Sequence, residues 1–201
     1  MQPFEKLRIN CEDLTVFSDE NLMTRFGRGD SSAFSELVVR HQKRLLNFIY
    51  RRTGSRESAE DIVQETFLRV VNAASRYQAT AKFTTWLYTI ALNLWRNEIA
   101  RQRTPVELTE RDRIQECGAM DQQVDFQKLL SLMQDLTDEH RLVLELGFIE
   151  GWTNQQIADL LNCSVGTVKS RKFYALKALR KRMGINDERD ERMSESRTAI
   201  R

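Results

Sequence analysis

The sequence predicts an all-α protein: two small helical domains joined by a flexible linker, the C-terminal one containing a helix-turn-helix. Glycine and proline are scarce, with 8 and 2 residues among 201, and apolar residues recur at helical i, i+3, i+4 spacing almost throughout. Residues 104–124 lose this spacing, mix both charges and contain a proline and a glycine, which is typical of a linker. The expected divisions are an N-terminal extension (1–18), a first domain (19–103), the linker (104–124), a second domain (125–183) and a charged, disordered tail (184–201).

The first domain is predicted to hold one short helix and three long amphipathic helices. The first long helix begins at Asp30, a favourable N-cap, and ends before Gly54, which suits the left-handed position beyond a C-terminus. Its apolar stripe includes His41, and its charged face includes Arg40. The second long helix opens at Ser55. The predicted helical segments are residues 20–27, 30–54, 55–77 and 84–103.

The second domain is predicted to contain a helix-turn-helix. Thr153 and Gln156 form a T-x-x-Q capping box at the start of its first helix. Asn162 suits the left-handed turn between the two helices, and Ser164 caps the second. In this motif the exposed N-terminal half of the second helix enters the major groove of DNA. The helices before the motif are predicted around residues 126–136 and 138–150.

The segment from residue 162 to residue 183 carries seven basic residues and no acidic one, although the net charge of the whole chain is only +2. Such a local excess predicts salt-dependent contact with DNA phosphates. The alternative is a solvated basic helix beside an acidic surface, which needs neither the caps nor the small Ala158 where two helices approach. The expected base contacts are Thr167, Lys169, Ser170, Arg171 and Phe173, and the expected phosphate contacts are Lys172, Lys177 and Arg180.

The third long helix of the first domain interleaves aromatic and basic side chains. Aromatic rings beside cations suit a single nucleic-acid strand, because unstacked bases regain stacking while the backbone follows the positive charge. The alternative is that the rings form core, which applies most to Phe83 and Trp95. Trp86 and Tyr88 lie near different faces and cannot both be fully buried. The residues concerned are Tyr77, Phe83, Trp86, Tyr88 and Trp95, with Lys82, Arg96, Arg101 and Arg103.

The second long helix presents an acidic face, formed by Glu60, Asp61, Gln64 and Glu65. This face is either a solvated surface or a docking site for a basic partner helix. The spacing of the side chains alone slightly favours the solvated surface.

The sequence offers little material for catalysis or metal binding. His41 and His140 are the only histidines, and the three cysteines, Cys11, Cys117 and Cys163, are far apart and expected to be free thiols. We therefore expect no catalytic site, no metal and no cofactor, since a phosphate-binding glycine loop is also missing. No apolar run approaches the roughly 20 residues of a membrane span, and the N-terminus lacks the features of a signal peptide, so we expect a cytoplasmic protein.

Three stretches of the sequence resemble bacterial sigma factors of the extracytoplasmic-function (ECF) group. They are AEDIVQETFLRV at 59–70, FTTWLYTIALNLWRNEIARQ at 83–102, and the run at 136–180 that includes the helix-turn-helix. They occur in the family's order and spacing, and the resemblance extends over about residues 19–183, most of the chain. Gly147 stands near a position where members commonly have Arg, and Phe173 and Tyr174 stand where further Arg or His is found, so the base preference does not carry over.

The resemblance implies a dissociable subunit that binds core RNA polymerase, through the β′ clamp helices and the β subunit, and directs it to promoters. It implies that the acidic face docks on the clamp, which overturns the preference for a solvated surface. The helix-turn-helix would read the duplex minus-thirty-five element, and the third long helix with the loop before it would open the minus-ten element on the non-template single strand. The implied polymerase contacts are Asp61, Gln64 and Glu65, and the implied minus-ten contacts are Tyr77, Lys82, Trp86, Tyr88 and Arg96.

The resemblance also implies an anti-sigma factor as a partner and a linker that follows the polymerase's RNA exit path. From the lack of a long apolar run we expect no insertion into a membrane. Two other hypotheses stay open at this point. A conventional helix-turn-helix regulator would bind duplex DNA independently of polymerase, with a first domain that senses a ligand or dimerises. A helical adaptor would dock on polymerase without needing the basic helix.

Overall fold

The structure is a computed structural model that describes residues 11–102, 131–133 and 136–184. The regular structure of these residues is helical, as predicted. The chain divides into two compact units, Met1–Gln115 and Glu116–Arg201. The predicted linker, most of the helix predicted around 126–136, and the predicted tail after residue 184 lie outside the described residues.

The described part of the N-terminal unit is built around α2, which packs against three other helices. Asp30 accepts hydrogen bonds from the first turn of α2, Gly54 follows it in the left-handed conformation, and Ser55 caps α3, so these three predictions are confirmed. The core contains buried Leu37, Leu45 and other apolar residues of α2 together with one face each of α3 and α4. The helices are α1 (Asp19–Gly27), α2 (Ser31–Thr53), α3 (Arg56–Ala73) and α4 (Phe83–Gln102), with short 3-10 helices at Cys11–Val16 and Ala74–Arg76.

Arg40 joins α2 to the segment that precedes α1. Its Nη1 donates to the carbonyl oxygen of Phe17 at 2.8 Å and its Nη2 to that of Leu14 at 2.9 Å. The same guanidinium pairs with Asp19 at 3.0 Å, and the Arg40 side chain is only 23% exposed. Arg40, predicted on the charged face of this helix, is therefore partly buried by the segment before α1. Part of the predicted N-terminal extension packs against the first domain, since Leu14 is buried.

Asp19 also binds His41, which the helical pattern assigns to the apolar stripe. The Nε2 atom of His41 lies 2.8 Å from Oδ2 of Asp19. Burial alone would raise the pKa of the Asp19 carboxyl, but the hydrogen bonds and charges of His41 and Arg40 outweigh burial and lower that pKa below its usual value. The three side chains thus form one partly buried polar network between α1 and α2.

The described part of the C-terminal unit confirms the helix-turn-helix. Thr153 and Gln156 form both hydrogen bonds of the capping box, Asn162 is left-handed with φ of 48°, and Ser164 caps the last helix. Cys163, in the turn, is a free thiol, as predicted. The helices are α5 (Asp138–Leu144), α6 (Asn154–Leu161) and α7 (Val165–Arg182), and residues 131–133 are also helical.

The helix predicted over 138–150 does not continue as one α-helix. After α5 the backbone widens into a π-helical turn at Glu145–Ile149, closed by a hydrogen bond from the Glu150 amide to the Glu145 carbonyl at 2.9 Å. A π-helical turn inserts one extra residue per turn and rotates the side chains that follow it. This turn packs against α6.

Candidate nucleic-acid and partner-binding surfaces

The acidic face of α3, formed by Asp61, Gln64 and Glu65, is accessible. Asp61 and Gln64 are exposed, and Glu65 is held by Arg69 in an ion pair of 2.9 Å one helical turn away. Among the described residues, Asp61 has no ion-pair partner. Its charge is therefore available to a basic group from another molecule.

A groove of about 390 Å³ runs beside this face, between α3 and α4. Its walls carry both charges, because Asp61 and Arg69 line it from α3 and Glu98 and Arg101 line it from α4. Leu94 contributes an apolar patch to the lining. Such a groove suits the polar side chains of a partner helix better than an apolar small molecule. On the outer side of α3 the surface continues through exposed Leu68 and Val71.

Three rings meet at the start of α4, and Tyr77, Phe83 and Trp86 are called the aromatic cluster below. The ring centroids of Tyr77 and Trp86 lie 5.1 Å apart, and those of Phe83 and Trp86 lie 5.9 Å apart. Phe83 is fully buried, whereas Trp86 and Tyr77 are partly exposed. The cluster therefore has a buried base and an accessible upper side.

The Tyr77 hydroxyl is buried and has no hydrogen-bond partner among the described residues. Burial, together with the negative charges of Glu20 and Asp19, raises the pKa of Tyr77 to about 12. The hydroxyl is consequently neutral at physiological pH and keeps its proton available for donation. The accessible part of Tyr77 is therefore its ring and not its enclosed hydroxyl.

Glu20 fixes where α4 begins. Its Oε1 accepts a hydrogen bond from the backbone N–H of Phe83 at 2.9 Å, although the two residues are far apart in sequence. Burial would raise the pKa of Glu20, but this hydrogen bond and others lower it below the usual value. The contact holds the first turn of α4 and the adjacent exposed Lys82 against α1.

Tyr88 does not lie on the accessible surface. Its side chain is 3% exposed, and its ring centroid is 4.9 Å from that of Phe48 on α2. Because a core ring cannot stack on a base, the assignment of Tyr88 to DNA contact is corrected. Trp95, whose ring lies 5.4 Å from the Arg52 guanidinium, is partly buried, whereas Arg96 is exposed.

The exposed side of α7 combines small polar, aromatic and basic side chains. Lys169 and Ser170 are exposed, and the rings of Phe173 and Tyr174 are 54% and 60% exposed. Their ring centroids lie 5.5 Å apart in an edge-to-face arrangement. Thr167 is turned towards the helix start, where its Oγ1 lies 2.9 Å from the Oγ of Ser164.

Two of the basic residues predicted to contact DNA are held by neighbouring elements. Arg171 forms an ion pair of 2.7 Å with Glu139 in the first turn of α5, and its side chain is 24% exposed. Lys172 is partly buried, and its Nζ donates to Oδ1 of Asn154 at 2.7 Å. Burial lowers the pKa of Lys172. In this structure the Lys172 amine is thus held by α6, whereas Lys177 and Arg180 are exposed.

Comparison with known proteins identifies both units. A family model described as Sigma-70 region 2 matches residues 37–104, and one described as Sigma-70, region 4 matches residues 132–181. The RNA polymerase sigma-H factor of Pseudomonas aeruginosa is 32% identical over 84% of this chain and 95% of its own. The ECF RNA polymerase sigma-E factor of Escherichia coli K12 is 32% identical over 81% of this chain and 92% of its own.

The chain belongs to the ECF group of the sigma-70 family. It is thus a sigma factor, which binds core RNA polymerase and directs it to promoters. Sigma factors are transcription initiation factors and not enzymes. The family assignment made from the three sequence stretches is confirmed.

Two solved structures support the fold. CnrH, solved in complex with the cytosolic domain of CnrY, superposes with a TM-score of 0.65 at 23% identity, covering 84% of this chain and 99% of that one. The sigma factor RpoE of Bartonella quintana, solved with the anti-sigma factor NepR, gives 0.64 at 20% identity, covering 77% and 98%. In the described part of this sigma factor, no helix has the length and apolar character of a membrane span. Nor do its described side chains group into a cluster that could hold a metal ion.

Proposed function

We propose that this sigma factor binds the β′ clamp helices through the acidic face of α3, opens the minus-ten element at the aromatic cluster and reads the minus-thirty-five element with α7. The observation that carries the proposal is the opposite charge of two exposed helix faces in separate units. One face is acidic and suits a basic protein helix. The other belongs to a helix with no acidic residue and suits the phosphates of DNA.

The docking of polymerase rests on Asp61, Gln64 and Glu65. Asp61 makes no ion pair among the described residues, and the groove beside it can accept side chains of a partner helix. Charged groups across such an interface select the partner and accelerate encounter more than they add affinity. The β subunit is the further polymerase partner that we propose, without assigning residues to it.

Opening of the minus-ten element rests on Tyr77, Lys82, Trp86 and Arg96. The upper side of the aromatic cluster offers ring surface to an unstacked base, and the exposed cations on α4 follow the phosphates. Stacking supplies about 1–3 kcal/mol per base, which offsets the cost of separating the strands. The energy for opening comes from binding, so nucleotide hydrolysis and a cofactor are not needed and the chain has no catalytic role.

Reading of the minus-thirty-five element rests on the exposed N-terminal half of α7. Ser170 and Lys169 present donors, and Phe173 presents an apolar ring that can contact a thymine methyl group. Arg171 can reach a base only if Glu139 releases it or shares it, whereas Thr167 is occupied in capping the helix. Lys177 and Arg180 lie further along the helix and supply phosphate contacts.

We further propose that an anti-sigma factor holds this sigma factor inactive. CnrH and RpoE were solved bound to CnrY and NepR, and their folds match the present chain. A partner that covers the acidic face of α3 or the exposed face of α7 would block polymerase or DNA. The site of action is the cytoplasm, where promoters and polymerase are found.

The test is transcription in vitro with purified core polymerase on fragmented genomic DNA, with and without the protein. We expect discrete new start sites that require the protein. Tight duplex binding by the protein alone with no new starts would favour a conventional regulator. Starts that persist after deletion of residues 165–182 would favour an adaptor that only docks on polymerase.

A further inference from the structure

Lys172 lies on the flank of α7 that faces α6, away from the exposed side chains of Ser170 and Phe173. Its Nζ donates a hydrogen bond of 2.7 Å to Oδ1 of Asn154, the first residue of α6. The two residues are 18 positions apart, so the bond joins the two helices of the helix-turn-helix. A bond at this place constrains the angle at which α7 leaves its partner helix.

Gly147 provides the space that the Lys172 side chain occupies. A Cβ atom built on Gly147 would overlap the Lys172 Nζ and lie only 2.7 Å from its Cε. Gly147 is in the π-helical turn that follows α5, next to Phe148, whose ring centroid is 5.8 Å from the Lys172 Nζ. The backbone of the π-helical turn and the Asn154 side chain of α6 therefore enclose the Lys172 amine of α7.

We infer that Lys172 is a positioning residue: through Asn154, and in the space left by Gly147, it fixes the recognition helix α7 against α6 and contributes no phosphate contact. This inference rests on the proposed role of α7 in reading DNA. It assigns to Lys172 a task different from that of Lys177 on the same helix. Its competitor is a lysine that swings out of the space and binds a phosphate when DNA arrives.

The salt dependence of DNA binding separates the two roles. Each phosphate contact steepens the slope of log K against log salt by about 0.9. Binding is measured for the full chain assembled with core polymerase, on a promoter recovered from the transcription assay. We expect Lys177→Met to reduce the salt slope by about 0.9. Lys172→Met, which keeps most of the aliphatic stem, should leave the slope unchanged. An equal reduction in the two variants would overturn the inference.

Discrimination between DNA sequences distinguishes a positioning role of Lys172 from a mere loss of protein stability. The measurement is the affinity for the promoter divided by the affinity for the same promoter with a scrambled minus-thirty-five element. Below the unfolding temperature, we expect Lys172→Met to lower this ratio. Lys177→Met should weaken both by the same factor. If Lys172→Met leaves that ratio unchanged, Lys172 does not position α7 for reading.

Thermal unfolding of the full chain tests the bond without DNA or polymerase. We expect Asn154→Ala and Lys172→Met each to lower the Tm of the C-terminal unit, by about 4–8 °C for a hydrogen bond of ordinary strength. Because both substitutions break the same hydrogen bond, the Tm of the double variant should be no lower than that of the less stable single variant. This lack of additivity between the two substitutions should disappear in a Gly147→Ala background. If the two losses of Tm add up in the double variant, the inference about Lys172 is overturned, whether or not the protein acts in transcription. If the losses do not add up but the transcription assay shows no new start sites, only the proposed function is overturned.

Discussion

In the N-terminal unit the rings of Tyr77, Phe83 and Trp86 pack against one another, whereas Phe173 and Tyr174 on α7 project into solvent. A partly enclosed cluster presents a ring face of fixed orientation, which suits a base that has left its stack. Two open rings on a helix can lie against base edges in a groove, where apolar contact distinguishes thymine. Under the proposed function, similar residue types would thus meet single-stranded DNA in one unit and duplex DNA in the other.

The charges of the two units differ in the same way. The accessible face of α3 carries Asp61 and Glu65, while α7 carries no acidic residue. If the α3 face binds polymerase and α7 binds DNA, as we propose, each face repels the other's partner and the two surfaces do not compete. Substitutions that reverse or remove one face at a time test this division.

The largest effect is expected from Asp61→Lys, which reverses the acid of the α3 face that has no ion-pair partner in the part of the chain that the structure describes. We expect binding to core polymerase to be lost while the Tm stays within the range of ordinary surface substitutions. Pull-down of purified core polymerase measures the loss. Asp138→Lys, the same reversal in the C-terminal unit, is the matched control and should bind normally. Unchanged binding by Asp61→Lys would remove the acidic face from the interface.

Arg171→Ala is expected to weaken promoter-specific binding by about 1–3 kcal/mol, or roughly 5- to 150-fold, if the guanidinium contacts a base. The measurement compares the recovered promoter with one whose minus-thirty-five element is scrambled. Glu139→Gln frees the same guanidinium from its ion pair and serves as the companion variant. A loss of equal size on every DNA sequence would reassign Arg171 to phosphate contact.

Trp86→Ala is expected to impair opening rather than closed binding, by an amount near the lower end of about 1–3 kcal/mol, because its ring is already partly enclosed. Permanganate reactivity of promoter thymines measures the open fraction. A template with a pre-melted minus-ten bubble should restore transcription. Tyr88→Phe, in the core, should leave opening unchanged. Failure of the bubble to rescue Trp86→Ala would place Trp86 outside the opening step.

The smallest effect concerns acid stability of the N-terminal unit. The folded pKa of Asp19 lies below its unfolded value near 3.8, so the ionised form stabilises the fold above that pH. This stabilisation is lost as the pH falls through the folded pKa. We expect the Tm of the wild type to fall more steeply below about pH 4 than that of Asp19→Asn. Parallel curves would show that the Asp19 network contributes nothing to folding.

Local features of this chain were predictable from the sequence. Asp30, Ser55, Thr153 and Ser164 are caps in the structure as expected, since a cap depends on a few neighbouring residues. The left-handed Asn162 follows from the same local chemistry. The acidic face of α3 was predictable because residues three and four apart share a helix face.

Contacts between distant residues were not predictable. Nothing near Lys172 in the sequence shows that its amine meets Asn154 in a space left by Gly147. Helical spacing gave no reason to choose Tyr88 over Trp86 as the buried ring, because burial depends on which side of α4 faces Phe48. The π-helical turn carries no sequence signal of its own, so the rotation it introduces was missed.

The two carbonyl oxygens that Arg40 binds, those of Leu14 and Phe17, fasten the segment before α1 to the N-terminal unit. A polypeptide translated from a later start, at residue 19, would still contain every helix from α1 onwards. It would nevertheless lose both carbonyl acceptors of the partly buried Arg40 guanidinium, whose uncovered N–H groups would turn to water, so we expect a lower Tm for the N-terminal unit. The gene segment that encodes the more stable N-terminal unit therefore begins upstream of the codon for Leu14.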